Sequence, residues 1–469
     1  MKEFKKGLII FLLQIITCIT IAQSISFTTS NQSFNHASLA RHYADDVLLV
    51  KKVSSDENGR NYFYFDSLNS GIYYILLPDS SSFEFLYDNT FNGKIEITHH
   101  APGTFQLLSA PQPTRDYYTY NQLIRQITTE RDSLNFTLRQ HDTNEKAKKK
   151  LLKQRQYLDE KEDSLLRAMV LNFENTFLGN YLKPFEKIQV PDFKHQENNR
   201  DISDSLIWAW RLNYYKKHFM DNLELADPYL INTPVYTNMV NRYLDKITLQ
   251  QPEDLKQSIS LLVKRASANR ITHEFLTNYL LKKYALLKAN PLYEAVYLDI
   301  IKLYYLEAEA PWADNNLINV LSREYNQLAP LMLGMKAPQI SIEDMNYNII
   351  ALDSINSRFI VLYFHNYDCH YCEKVGPEIK KLSLKYDKNN LRVFAICLGE
   401  EDDDCRDYVL ENGYTSFYNG INREKIASIA TSYNIRYTPT IFLLNNQKKI
   451  IAKNLNVNQL KELLRDSLK

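Results

Sequence analysis

Cys369 and Cys372 stand two residues apart, directly after the apolar run Phe359-Ile360-Val361-Leu362-Tyr363-Phe364 and directly before a stretch that reads as a helix. Thiols at that spacing on a helix are one turn apart and within reach of a disulfide. At a helix start the first amide N–H groups lack intrahelical partners and the dipole is positive, so a thiolate there is stabilised and becomes a better nucleophile. The pattern is that of a redox dithiol. Cys369, first in the motif and nearer the helix mouth, is the expected nucleophile; Cys372, deeper, is expected to resolve the mixed disulfide. The competing chemistry is half of a zinc site, which needs a second ligand pair at short spacing. Cys397 and Cys405 are not such a pair and His365 is a lone candidate, so no metal is expected.

The residues beside the cysteines pull in opposite directions. Asp368 works against a thiolate on Cys369, whereas a protonated His370 works for it. His370 and Tyr371 fill the positions between the cysteines, and a solvent-exposed spacer is the plainer reading of His370. Glu373 and Lys374 read as surface residues.

Three elements have to position this pair. The apolar run fits a central strand covered on both faces. A helix must begin at the cysteines and carry Pro377 five residues beyond the second. Far downstream, Tyr433-Asn434-Ile435-Arg436-Tyr437-Thr438-Pro439-Thr440 leads into the strand Ile441-Phe442-Leu443-Leu444. Strand, Cys-His-Tyr-Cys, helix proline and Thr-Pro-Thr together resemble the thioredoxin family. The resemblance implies a cis peptide before Pro439, a proline facing the cysteines, and backbone at Thr438 free to pair with a substrate peptide. Asp368 departs from the family, where tryptophan commonly precedes the first cysteine. A histidine in the dipeptide is seen in oxidising members and a tyrosine before the second cysteine resembles periplasmic isomerases, so the direction of exchange stays open. The chain resembles exported TlpA-like oxidoreductases. It implies no cofactor, protein thiols and disulfides of the cell envelope as substrates, and a membrane electron donor.

The chain has 469 residues, enough for about three domains. Its net charge of +1 offers no basic excess for nucleic acid. Lys2, Lys5 and Lys6, the apolar stretch Gly7 to Ile16 and Thr20-Ile21-Ala22 read as a signal peptide over 1–22, too short for an ordinary membrane span. Lipidation at Cys18 is the alternative, although Ile15-Ile16-Thr17 makes a poor lipobox. Either way the protein is expected to be exported, to the periplasm or cell envelope, where an oxidising milieu bears on its cysteines.

Residues 25–105 read as short strands with turn residues between them, a small β-sandwich-like domain. Adjacent His99 and His100 would face opposite ways on a strand and so make no metal pair. Pro102 to Pro113 reads as a linker. Residues 114–180 read as a long, charge-laced helical or coiled segment, with a break near His141-Asp142-Thr143-Asn144. Residues 181–330 read as an all-α domain whose aromatic residues, from Trp208 to Trp312, are expected in its core. Residues 25–105 resemble the small β domain, and the run Trp208 to Trp312 the uncharacterised helical domain, found with exported thioredoxin domains. Residues 331–469, entered through Gly334, Ala337 and Pro338, complete the chain as an α/β domain with helices on both faces of a sheet.

Cys397 and Cys405 either form a second disulfide or remain separate buried thiols, and the acidic loop between them favours separate thiols. Two rivals stand beside the oxidoreductase. One is a cell-envelope binding or assembly protein in which the dithiol is structural or vestigial. The other is a thiol peroxidase, which the resemblance disfavours because His365 occupies the proline position of the Pro-x-x-x-Thr-x-x-Cys pattern.

Overall fold

The computed structural model describes residues 23–29, 34–65, 68–89, 94–101, 104–140, 145–192, 203–308 and 310–468. Residues 1–22, read above as a signal peptide and holding Cys18, lie outside them. The chain divides into two compact units, Met1–Thr248 with Arg265–Thr272, and Leu249–Lys264 with His273–Lys469.

The first unit opens with eight strands: β1 (Gln23–Thr29), β2 (His36–Tyr43), β3 (Asp46–Ser54), β4 (Arg60–Phe65), β5 (Gly71–Leu76), β6 (Ser82–Tyr87), β7 (Lys94–Ala101) and β8 (Thr104–Ser109). They form two four-stranded sheets, ordered β4-β1-β7-β8 and β3-β2-β5-β6. Side chains at every second position from both sheets meet in one core: Ile25, Phe27 and Phe63 from the first, and Leu39, Ile75 and Phe85 from the second. Burying each contributes about 1.5–3 kcal/mol. This is the sandwich expected. His99 is buried and His100 exposed, as alternation requires. The supposed linker Pro102–Pro113 is a correction, because β8 occupies its middle and pairs antiparallel with β7.

Two long helices follow, α1 (Gln112–Gln140) and α2 (Glu145–Asn172), on either side of 141–144. Arg131 on α1 ties to Asp159, at 3.4 Å, and to Glu162 on α2. Next come α3 (Phe177–Leu182), α4 (Asp204–His218) and α5 (Pro234–Arg242). Helix α4 buries none of its residues, and Trp208 is 66% exposed. The expectation that this tryptophan sits in the core is therefore wrong. Its helix is nearly uniform in polarity around its circumference and has no apolar stripe to bury.

Helices α6 (Pro252–Ala266), α7 (Arg270–Leu287), α8 (Pro291–Ile301) and α9 (Asn315–Leu328) continue the helical region. Asn290 and Asp314 cap α8 and α9 by accepting the amide N–H groups of Leu292 and Leu317, at 3.0 and 2.7 Å.

The C-terminal α/β domain begins with the hairpin β9 (Ser341–Glu343) and β10 (Ile349–Ala351). Then come β11 (Phe359–His365), α10 (His370–Lys385), β12 (Leu391–Cys397), α11 (Asp402–Glu411), β13 (Tyr418–Gly420), α12 (Arg423–Ser432), β14 (Thr440–Asn445), β15 (Ile450–Lys453) and α13 (Val457–Ser467). The sheet order is β13-β12-β11-β14-β15, with β11 central, parallel to β12 and antiparallel to β14. Every residue of β11 is buried, and its alternate side chains feed two cores. Ile360, Leu362 and Phe364 enter one, Phe359, Val361 and Tyr363 the other.

The segment before the hairpin is stitched to the sheet. Gly334 N–H donates to Ile450 O, Ile450 N–H to Met335 O and Ala337 N–H to Lys448 O, all at 2.8 to 2.9 Å. Gly334 makes this entry at a positive φ of 83°, which suits a residue without Cβ. From the end of β15, Lys453 reaches the carboxylate of Glu294 on α8, so this helix and the sheet share a buried ion pair.

Candidate active site

Strand β11 ends at His365 and the chain crosses a four-residue loop to α10. Cys369 is the residue capping that helix, with φ −97° and ψ 103°, and its Sγ accepts the amide N–H of Cys372 at 3.2 Å. Sulfur thus takes the place an oxygen usually fills at a helix N-cap, where unpaired N–H groups favour a charged acceptor. Cys369 is half-buried, whereas Cys372 is fully buried. The two are joined as a disulfide with Cα atoms 5.1 Å apart.

The cis-proline loop arrives from the other side. Thr438–Pro439 is a cis peptide bond, and the carbonyl oxygen of Thr438 lies 3.4 Å from the disulfide sulfur of Cys369, within reach of the proton that this sulfur carries once reduced to the thiol. The loop is held by Thr440, whose hydroxyl donates to Tyr437 O at 2.7 Å, and by the strand β14 that follows it. Cys369, Cys372, Thr438 and Pro439 are thereby brought to one end of the sheet. His370 and Tyr371 stand outside this contact, on the surface. His370 Nδ1 is 3.4 Å from Glu373 Oε2, and Tyr371 is 69% exposed, with Lys374 Nζ 5.9 Å from its ring centre. An ion pair so exposed adds little to stability.

Behind Cys372 lies a group that reasoning from the sequence passed over. The hydroxyl of Tyr363, buried in the middle of β11, donates to the carbonyl of Cys372 at 3.4 Å. A hydroxyl inside an otherwise apolar strand is the signal that could have found it. Burial pushes the Tyr363 phenol well up, so it remains a neutral donor. Gly376, one turn beyond Cys372, gives Tyr414 room. A Cβ there would lie 2.3 Å from the Tyr414 hydroxyl.

His365, the lone metal candidate, is buried with its ring stacked on Tyr363, at 5.0 Å, and on Tyr408, at 5.5 Å. Burial lowers its pKa to about 4, so the ring is neutral near pH 7. No cluster of three or more histidine, cysteine or acidic residues suited to a metal occurs among the described residues. Cys397 and Cys405 form a second disulfide, with Cα atoms 6.1 Å apart. This corrects the preference for separate thiols. The acidic loop is not loose, because Leu398 N–H donates to His365 O at 2.7 Å and α11 starts as early as Asp402.

A cleft of about 560 Å³ elsewhere, walled in part by α1, α2 and α3, carries no sulfur; of its charged residues Arg131 pairs with Asp159 and Glu162, and Lys187 with Asp163.

Residues 356–450, which hold both cysteines and Pro439, match the family model described as thioredoxin-like. The C-terminal domain is thioredoxin-like. Among solved structures, the chain is similar to the thioredoxin domain of a thiol-disulfide oxidoreductase from Bacteroides vulgatus, at 20% identity over 29% of this chain and 98% of that one, with a TM-score of 0.28. It is also similar to a thioredoxin-like protein from Bacteroides caccae, at 21% identity over 57% of this chain and 97% of that one, TM-score 0.43. A thiol:disulfide interchange protein from a Bacteroides species aligns at 20% identity over 29% of this chain and 88% of its own, TM-score 0.27. No curated protein matches the chain. The thioredoxin-like domain ends a chain whose earlier regions, β and helical, lie outside the family match.

Proposed function

We propose that this protein is a thiol–disulfide oxidoreductase that exchanges disulfides with exported proteins through Cys369 and Cys372. The observation that carries the reading is Cys369 Sγ itself. It caps a helix, accepts the Cys372 N–H at 3.2 Å and lies 3.4 Å from the carbonyl of Thr438, the residue before the cis proline. In the reducing direction, the Cys369 thiolate attacks one sulfur of a substrate disulfide and expels the other as a thiolate. Cys372 then loses its proton and attacks Cys369, which forms the Cys369–Cys372 disulfide and releases the second substrate thiolate. The substrate gains two electrons and two protons. A dithiol donor returns the electrons, and a membrane protein is the proposed source. The reverse sequence oxidises a substrate dithiol.

Export is part of the proposal, through a leader at 1–22. So is the division into a β domain, which β8 carries past the expected boundary at 105 to Ser109, a helical segment at 114–180, a helical domain at 181–330 and the thioredoxin-like domain at 331–469. No helix among the described residues is long and apolar enough to cross a membrane.

A second reading, a cell-envelope assembly protein with a structural dithiol, draws on α4, whose Trp208, Leu206 and Leu212 are exposed. Reduction of insulin by the full chain with a dithiol donor tests between them. Turnover that disappears in Cys369→Ser supports the enzyme. Absence of turnover with a Cys369 that does not react with alkylating agents supports the scaffold.

A further inference from the structure

Resolution of a mixed disulfide needs a thiolate on Cys372, and Cys372 is closed off from solvent. Its proton therefore has to be taken up inside the domain. The side chains beneath the first two turns of α10 are aromatic and polar at once. Tyr363 Oη lies 3.4 Å from the carbonyl of Cys372, and the Tyr363 ring stacks on His365 with centres 5.0 Å apart. His365 stacks in turn on Tyr408, at 5.5 Å, and Tyr408 meets Tyr414 edge-on, at 5.9 Å. The contacts then return to α10. The Tyr414 hydroxyl lies against Gly376, which is four residues after Cys372 and so on the same face of the helix.

Three atoms of this cluster stand out. His365 Nδ1, Tyr408 Oη and Tyr414 Oη are all buried without a hydrogen-bond partner among the described residues. The two hydroxyls approach each other, but not at hydrogen-bond geometry. Buried polar atoms are nearly always paired with protein or with ordered water, and a buried water makes about three hydrogen bonds. A neutral imidazole nitrogen donates or accepts according to its tautomer, and each hydroxyl can do both. Two charged groups border the cluster and are engaged elsewhere. Glu373 is paired with His370 at the surface, and Lys380, with Nζ 6.0 Å from the Tyr414 ring centre, donates to Asn412 O at 2.9 Å.

We propose that His365 Nδ1, Tyr408 Oη and Tyr414 Oη bind a water molecule beneath the Cys372 turn of α10, and that this water takes the Cys372 proton in the resolving step. As the thiol gives up its proton, its sulfur attacks Cys369 Sγ and breaks the bond to the substrate sulfur. The departing thiolate takes up a proton, so protons and electrons balance without a further reactant. His365, Tyr408 and Tyr414 are positioning residues, acting through the water and not on the substrate. This role holds only if Cys369 and Cys372 are the exchanging pair proposed above.

Stopped-flow mixing of the reduced full chain with dithiobis(nitrobenzoate) tests it. Attack by Cys369 releases one thionitrobenzoate, and resolution by Cys372 releases a second. At rising reagent concentration the second phase becomes independent of the reagent and reads the resolving step alone. Tyr408→Phe, Tyr414→Phe and His365→Phe are each expected to slow the second phase about fivefold at neutral pH, the factor for losing one hydrogen bond of ordinary strength. Each should also move the pH midpoint of that phase upward, while the first phase keeps its rate and its pH profile. A second phase unchanged in all three variants, or both phases slowed equally as a disturbed fold would do, overturns the role of the water and leaves the oxidoreductase reading standing. Absence of both phases in the wild-type chain overturns that reading, and this role with it.

Discussion

Lys453 and Glu294, 159 positions apart in the chain, meet in an ion pair that leaves only 4% and 9% of their side chains exposed. Burial raises the Glu294 pKa, and Lys453 partly reverses this. Removing one partner of such a pair strands the other charge, at a cost of about 3–5 kcal/mol. Lys453→Met is therefore expected to destabilise the sheet edge and raise amide hydrogen exchange along β14 and β15. The double variant Glu294→Met/Lys453→Met should recover most of the loss. Equal exchange in wild type and Lys453→Met would show that the pair carries no net stability.

His365 predicts a pH dependence of stability. Its folded pKa, about 4, lies below its ordinary value of 6.5 because burial penalises the imidazolium. The unfolded chain thus binds a proton that the folded one refuses. The stabilisation is complete above the unfolded value and is lost as pH falls from 6.5 through 4, by about 3 kcal/mol. Urea midpoints between pH 7 and pH 4.5 measure it. His365→Phe, which keeps a ring between Tyr363 and Tyr408, should flatten the slope.

The second disulfide closes a short loop, with eight residues of sequence separation. Loop-closure entropy gives such a crosslink about 2–3 kcal/mol. The Cys397→Ala/Cys405→Ala chain should lose that much in urea unfolding, while an insulin assay still shows turnover. Loss of all turnover with the fold intact would show that this disulfide does more than crosslink the domain.

For the dithiol, Cys369→Ser should abolish insulin reduction. Cys372→Ser should accumulate mixed disulfides on Cys369, because the attack that releases them is missing. Non-reducing gels of the chain expressed with an export signal would reveal these adducts. A Cys372→Ser chain that turns over like wild type would remove Cys372 from the mechanism.

The parts legible in the sequence were those in which side-chain type and position agree. The run Phe359 to Phe364 is apolar at every position and is buried at every position. Strand β2 carries little signal of its own although it pairs with both β3 and β5. Its buried residues are Ala37, Leu39, Ala40 and His42, small or polar apart from Leu39 and broken by a register shift at Leu39/Ala40, so the alternation is faint. Strand β8 was hidden by the prolines flanking it. Trp208 misled because an aromatic residue marks a core only when its helix has a second apolar stripe to share. In the site, the cysteine spacing carried the dithiol, but the pairing of Cys397 with Cys405 depends on how the turn after β12 and the start of α11 bring their Cα atoms to 6.1 Å, which residue types alone do not reveal. Tyr363 went unremarked for the opposite reason: its ring suited the strand so well that its hydroxyl drew no notice.

Sheets offer partners an unpaired edge, and here one edge is already taken. With Gly334, Met335 and Ala337 bonded along Lys448 to Ile450, β15 has no open row of amides and carbonyls at that point. A polypeptide seeking to lengthen the sheet by strand addition meets an occupied seat on that side. The opposite margin, β13, is three residues long. Backbone pairing with another chain is thus discouraged at the start of β15 and along the short β13.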